Sequence, residues 1–227
     1  MPALADRITA NLAEARALIA ATCRAHGRDP QGVRLIAVTK EQTPDVLAPL
    51  AAAGVVDLGE NRVDHLETMH AAAPADSRFH FIGRVQGRQL AKLAPFCVAI
   101  HSLCDADHIA RLGRACTESG RRIEVFIQVN VADDAAKAGV PLSDLAERVD
   151  LARRTAGLDL VGLMTMAPLA PQGSQADDPT IRRCFATLRA LAEHHHLPRL
   201  SMGMSEDFVH AVAEGATDLR IGSRLFR

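Results

Sequence analysis

Eight β-rich runs alternate with segments of helical period between Val33 and Phe226, and this alternation predicts an α/β protein folded as a single closed (β/α)8 (TIM) barrel. Two further observations support it. Most of the runs are nearly continuous apolar stretches (LIAV, EVFIQV, LVGLM), the composition of parallel strands covered on both faces by helices. Gly54, Gly120, Gly157 and Gly215 fall where the helical segments should stop. The repeat alone does not prove closure, so a doubly wound open sheet is the alternative.

The elements follow in order. Residues 4–26 have an amphipathic pattern and form an N-terminal helix that ends near Gly27 and Pro30. The expected strands are Val33–Lys40, Val55–Asn61, Arg78–Gly83, Cys97–Leu103, Ile123–Asn130, Leu160–Met166, Arg199–Met204 and Asp218–Ser223. Helices are expected over Pro44–Ala53, Arg62–Ala72, Arg88–Ala94, Asp105–Ser119, Ser143–Thr155, Thr180–His195 and Glu206–Glu214. Thr43-Pro44, Asp105, Ser143 and Ser205 supply capping chemistry at four of the starts. The proline-rich run Ala167–Pro179 is the one long loop, a lid or a disordered excursion. With no linker composition in between, residues 1–227 read as one domain, the barrel occupying 33–226.

Composition narrows the function classes. The 227 residues are 48% apolar and 23% charged, with a formal net charge of -1. A chain of this length buries roughly 70% of its unfolded surface without help from disulfides or metal. A near-neutral charge gives no field toward nucleic acid or an anionic membrane, so neither partner is expected. The five cysteines form no CxxC pair and read as reduced thiols. Asp6 and Glu14 interrupt the N-terminal segment, which therefore fails as a signal peptide, and no stretch reaches the ~20 apolar residues of a membrane span. A cytoplasmic protein is expected. With Trp 0 and Tyr 0, no tyrosine hydroxyl is on hand as an acid or base.

In a (β/α)8 barrel the chemistry sits at the C-terminal ends of the strands. Lys40 closes the run RLIAVTK, where desolvation would lower an amine from about 10.4 and expose a nucleophile; the alternative is a lysine snorkelling to solvent. The second strand brings Glu60 and Asn61 to the same rim, and the third brings His80 and Gly83, although a lone histidine on such a strand is more often a satisfied core residue. The run SMGMSED opens a helix with Ser205 as N-cap and leaves backbone N–H groups for an anion, while DLRIGSRLF offers Gly222 and Ser223, where an oxyanion can approach the backbone. Singly these are ordinary caps and turns. Together with an interior lysine they suggest a phosphorylated carbonyl compound held as a Schiff base.

The motifs LIAVTK, LGEN, HFIG followed by Gln86, GLMTM, LSMGMSEDFVHAV and DLRIGSRLF, in this order and spacing, resemble the pyridoxal 5'-phosphate (PLP) homeostasis protein family over Val33–Phe226. The resemblance implies a fold-type III PLP barrel, similar to the N-terminal domain of alanine racemase. It implies that Lys40 forms the internal aldimine, that Ser205, Gly222 and Ser223 hold the phosphate, and that Arg220 faces the pyridine nitrogen. It also implies that Asn61, Ile82 and Met204 line the cofactor. Two stretches depart from the family pattern: Arg84-Val85-Gln86-Gly87-Arg88 replaces its usual Leu-Gln-x-Asn-Lys run, and Arg62 stands where a tyrosine is common.

PLP chemistry needs an electron sink, a tuned ring nitrogen and a base or acid at the substrate Cα. An arginine at the ring nitrogen leaves it unprotonated and a carbanion poorly stabilised. Racemases of this fold type share the arginine but add a tyrosine from a second domain, and these 227 residues offer neither tyrosine nor spare length. The expectation is a monomeric, non-catalytic PLP carrier that serves PLP homeostasis and hands the cofactor to apo PLP-dependent enzymes. A weak amino-acid racemase using Lys40 with His80 or a cysteine is the alternative, and a class I-like aldolase on a phosphorylated sugar shares the same lysine-and-phosphate logic. His194-His195-His196 diverge by about 100° per residue and are not expected to bind metal. Asp133-Asp134 before Lys137 reads as a solvated loop after the fifth strand, and Arg121-Arg122 and Arg153-Arg154 suit helix C-termini.

Overall fold

The computed structural model describes residues 3–131, 138–168 and 179–227. Eight parallel strands close into a barrel in chain order. They are β1 (Arg34–Val38), β2 (Asp57–Glu60), β3 (Arg78–Phe81), β4 (Cys97–Leu103), β5 (Ile123–Gln128), β6 (Leu158–Met164), β7 (Arg199–Ser201) and β8 (Asp218–Ile221). β1 closes the ring: Ala37 lies opposite Leu58 of β2 on one side and Ile221 of β8 on the other. The open-sheet alternative is thereby excluded.

Around the barrel run α1 (Leu4–Ala25), α2 (Leu47–Ala52), α3 (Val63–Ala72), α4 (Leu90–Leu93), α5 (Ala106–Glu118), α6 (Leu145–Arg154), α7 (Pro179–His194), α8 (Phe208–Ala213) and α9 (Ser223–Phe226). Helix α1 buries Ile8, Leu12, Ala15, Ile19 and Cys23, a stripe spaced by three or four residues, and packs against α9, α8 and α2. Asn11 fixes this packing by donating from Nδ2 to the carbonyls of Leu225 (3.2 Å) and Arg227 (2.8 Å). No helix among the described residues is long and apolar enough to cross a membrane.

The structure moves several expected boundaries, each for a local reason. β6 begins at Leu158, two residues before the apolar run, because Asp159 projects outward to Arg122 and the chain turns directly into the strand at Gly157 (φ 83°). β1, β7 and β8 stop short of Lys40, Met204 and Ser223, so Lys40 and Met204 lie on the turns that leave the barrel and Ser223 opens α9. Ser205 does not cap α8. The cap position is Asp207, whose carboxylate accepts from the Met204 backbone N–H, and Ser205 faces the last strand's loop instead. Ser143 likewise donates to Asp144 rather than capping, whereas Asp105 caps α5 by accepting from the His108 N–H at 3.1 Å. Short 3-10 turns at Pro44–Val46, Gly87–Gln89 and Leu142–Asp144 precede α2, α4 and α6. The Asp133–Lys137 segment and all but the ends of the Ala167–Pro179 run lie outside the described residues.

Candidate functional site

A cleft of about 660 Å³ opens at the C-terminal mouth of the barrel. Lys40 from the turn after β1, Met204 and Ser205 after β7, Arg220 on β8, and Gly222 and Ser223 after it all line this cleft. Six of the eight residues picked from the sequence therefore converge there. Asn61 and Ile82 do not line it; they follow β2 and β3 and are half-buried at the adjoining rim, Ile82 donating its N–H to Glu60 O at 2.8 Å. The Asn61 Oδ1 is buried without a hydrogen-bond partner among the described residues. Gly83 holds this part of the rim close: a Cβ at Gly83 would sit 2.1 Å from Asn61 O.

The cleft has a cationic side and an anion-ready side. Lys40 is not desolvated as its strand position suggested: its side chain is 46% exposed, with Nζ 3.7 Å from Glu41 Oε1. β1 ends two residues earlier, so the lysine leans over the mouth from a turn and not from the wall. Opposite, the Ser205 hydroxyl oxygen accepts from the backbone N–H groups of Gly222 (3.2 Å) and Arg224 (3.3 Å), which ties the two closing loops together. Asp207 lies beside them, and burial pushes its carboxyl above the usual range.

Arg220 is almost wholly buried, and burial pushes its guanidinium down to about 10, which leaves it protonated at neutral pH. It donates from Nη2 to Thr165 O at 3.0 Å and from Nη1 to Ser201 Oγ at 2.6 Å. From Ser201 a hydrogen-bonded chain runs through the barrel interior. Ser201 Oγ is 2.7 Å from His101 Nδ1, His101 Nε2 is 3.0 Å from His80 Nδ1, and His80 Nε2 is 2.9 Å from Asp57 Oδ1. Arg78 meets the other Asp57 oxygen at 2.6 Å.

The two ends of this chain set its direction. A guanidinium only donates and a carboxylate only accepts, so with both histidines neutral every link between them points from Arg220 toward Asp57 and each imidazole carries its proton on Nε2. Burial pushes His80 below its ordinary value despite the opposing pull of Asp57, and pushes His101 well below, with His80 and Arg220 adding to the effect. Burial works against ionising Asp57, yet the hydrogen bonds from His80 and Arg78 hold its carboxyl below the usual range. His101 also stacks on Phe126, with centroids 4.4 Å apart and planes 13° from parallel. His80 therefore faces the barrel interior as a satisfied core residue, the reading the sequence favoured over a rim role.

Two groupings escaped the sequence reading. Asp57, His101 and Ser201 joined His80 across three strands, and the available signal was a polar residue interrupting each otherwise apolar run. The second is at β2, where fully buried Glu60 accepts from the Thr39 hydroxyl and from His65 Nδ1 at 2.7 Å. The N-terminal face of the barrel carries a separate ion network, with Arg199 bonded to Glu124 (2.6 Å) and Asp218 and Arg34 also reaching both carboxylates.

The chain that forms this closed parallel barrel matches, over residues 5–227, the model of the family described as "Alanine racemase, N-terminal domain". Among individual proteins, the pyridoxal phosphate homeostasis protein of Pseudomonas aeruginosa is 34% identical over 223 residues, covering 96% of this chain and 94% of that one. Its counterpart in Aquifex aeolicus is 32% identical over 211 residues, covering 90% of each. The chain belongs to the pyridoxal phosphate homeostasis protein family. The structure of PipY from Synechococcus elongatus with PLP bound superposes with a TM-score of 0.82 at 31% identity, covering 97% of this chain and 100% of PipY. Alanine racemase from Corynebacterium glutamicum shares the fold, with a TM-score of 0.68 at 17% identity; this chain covers 60% of its length.

Proposed function

We propose that this protein binds PLP in the cleft as a Schiff base on Lys40 and serves PLP homeostasis as a carrier without catalytic turnover. The observation that carries the reading is the convergence of one amine, one buried guanidinium and two hydrogen-bonded closing loops on a single 660 Å³ cleft. The residues present fit the group. Ser205, Gly222 and Ser223 would hold its phosphate, Arg220 would meet the ring nitrogen, and the partnerless Asn61 Oδ1, with Ile82 and Met204, would border the ring. Lys40 would hold the group through its aldehyde, the amine forming a C=N bond with release of one water. When bound, PLP supplies an electrophilic aldehyde that amines can exchange onto.

The chain's own residues argue for carriage. Arg220 stays protonated and donates, so it offers the ring no proton to stabilise carbanion charge. Both ring nitrogens of His80 are engaged in the interior chain, which removes it as the second base of a racemase. No tyrosine is available among these residues. A half-exposed Lys40 keeps the linkage accessible to water and to incoming amines, as release to apo PLP-dependent enzymes requires.

The test combines a visible absorption titration with PLP and a measurement of Cα deuterium exchange on a panel of amino acids. The expected result is a coloured 1:1 complex and exchange no faster than with free PLP. Exchange above that control which vanishes in Lys40→Ala would establish a racemase-like activity instead.

A further inference from the structure

The turn that carries Lys40 is tied down at both ends by one pair, the half-buried His65 and the fully buried Glu60. His65, in the first turn of α3, places Nε2 2.9 Å from the carbonyl oxygen of Gln42 and Nδ1 2.7 Å from Glu60 Oε2. The other Glu60 oxygen accepts from the hydroxyl of Thr39, and the Gln42 N–H closes the turn onto Thr39 O at 2.8 Å. Lys40 and Glu41 are the two residues between these anchors.

We propose that His65 is a positioning residue for Lys40, and that the proton it shares with Glu60 is what pins the turn. The carbonyl of Gln42 only accepts, so Nε2 must carry a hydrogen. Nδ1 then faces a carboxyl group that is fully shielded from solvent and is already accepting from Thr39. One proton has to lie between them, on Nδ1 or on Glu60. If it is lost, the Nδ1 lone pair faces a buried carboxylate at hydrogen-bond distance. The ring must then swing away, and Gln42 O loses its donor.

The surroundings favour keeping the proton. Glu60 faces His65 from β2, and Arg62 precedes α3 but is bonded to Asp64. Lys40 and Glu41 pair with one another on the turn, and Asp45 accepts from the Thr43 hydroxyl on the following 3-10 turn. Burial and Arg62 work against a second proton on His65, but the hydrogen bond and charge of Glu60 outweigh them and hold the imidazole above 6.5. Because the folded value is raised, the clamp is fully in place below the ordinary imidazole value and is lost as pH rises through the folded value. Its consequence for PLP rests on the proposed role of Lys40; the clamp itself does not.

The test is amide hydrogen exchange of the peptide spanning 39–42, corrected for intrinsic rates, across the pH range over which the His65 ring protons titrate by NMR. In the wild type, protection should fall at least ten-fold through that titration. His65→Gln supplies an amide that does not titrate, so its protection should be independent of pH; His65→Leu should be unprotected throughout. Wild-type protection that does not change as His65 titrates, or a His65 titration below 6.5, overturns the proposal, and the wild-type measurement suffices if a variant does not fold. Borohydride trapping of PLP at pH 6 and pH 9 forms the second arm. A pH-dependent clamp with PLP attached to some residue other than Lys40 would leave the clamp standing and sink the carrier reading.

Discussion

Replacing Ser201 by alanine removes a single oxygen that serves two buried partners. The hydroxyl accepts from Arg220 at 2.6 Å and donates to His101 Nδ1 at 2.7 Å, and Ser201 is fully buried. Losing a hydrogen bond to a charged donor costs ~1.5–3 kcal/mol, and orphaning a buried imidazole nitrogen costs ~1–3 kcal/mol. Because Cβ is retained, little cavity forms, and the substitution should lower stability by about 3 kcal/mol in urea unfolding, with the denaturant slope unchanged. A cycle with His101→Phe sharpens the test, since phenylalanine preserves the stacking on Phe126 while deleting both ring hydrogen bonds. The two changes should couple by ~1 kcal/mol or more, because the double variant no longer contains the imidazole nitrogen that Ser201→Ala orphans. A loss under ~1 kcal/mol for Ser201→Ala, or strictly additive changes, would refute the reading of a continuous chain from Arg220 to Asp57.

Three further outcomes follow from the same geometry. Gly83→Ala forces a Cβ to 2.1 Å from Asn61 O and should destabilise the fold by ~2 kcal/mol or more and weaken PLP binding, whereas Gly32→Ala, which meets nothing within 4 Å, should leave the Tm near the wild type. Asp57 has a depressed folded pKa, so its contribution is present above 3.8 and disappears as pH falls through the lower folded value; the stability gap between wild type and Asp57→Asn, followed by urea titration, should therefore close below pH 3.8. Lys40→Ala removes a half-exposed side chain with one long contact to Glu41, so unfolding should shift by less than ~0.5 kcal/mol while the colour of the PLP complex is lost.

The barrel was legible because parallel strands sheathed by helices are written as short apolar runs, and glycines with positive φ end the helices at Gly54, Gly120, Gly157 and Gly215. The C-terminal strand ends were legible for the same reason: residues that follow an apolar run lie at the rim, which brought Lys40, Ser205, Gly222 and Ser223 to one cleft, whereas Arg220, inside β8, came only from the family resemblance. What sequence could not supply was depth and register. Whether Lys40 lies in the wall or leans from a turn depends on where the β1 ladder stops, which Thr39 and Glu60 decide through a side-chain bond. Asp159 hid the start of β6, because an outward charged residue at a strand's beginning reads as a loop. The Ser-Glu-Asp sequence read as a helix start capped by Ser205, but Asp207 occupies the cap position and its carboxylate turns back to the Met204 N–H instead of capping α8. The interior chain joins residues 19 to 100 positions apart, and only the closed barrel places Asp57, His80, His101 and Ser201 in line.

The central claim is tested most directly by mixing the protein with PLP, reducing with borohydride and mapping the adduct by peptide mass analysis. The sequence contains three lysines, Lys40, Lys92 and Lys137, so the assignment is unambiguous. One reduced pyridoxyl phosphate group per chain, carried on Lys40, is the predicted result. An unlabelled protein, or label carried on Lys92 or Lys137 with Lys40 unmodified, would contradict it.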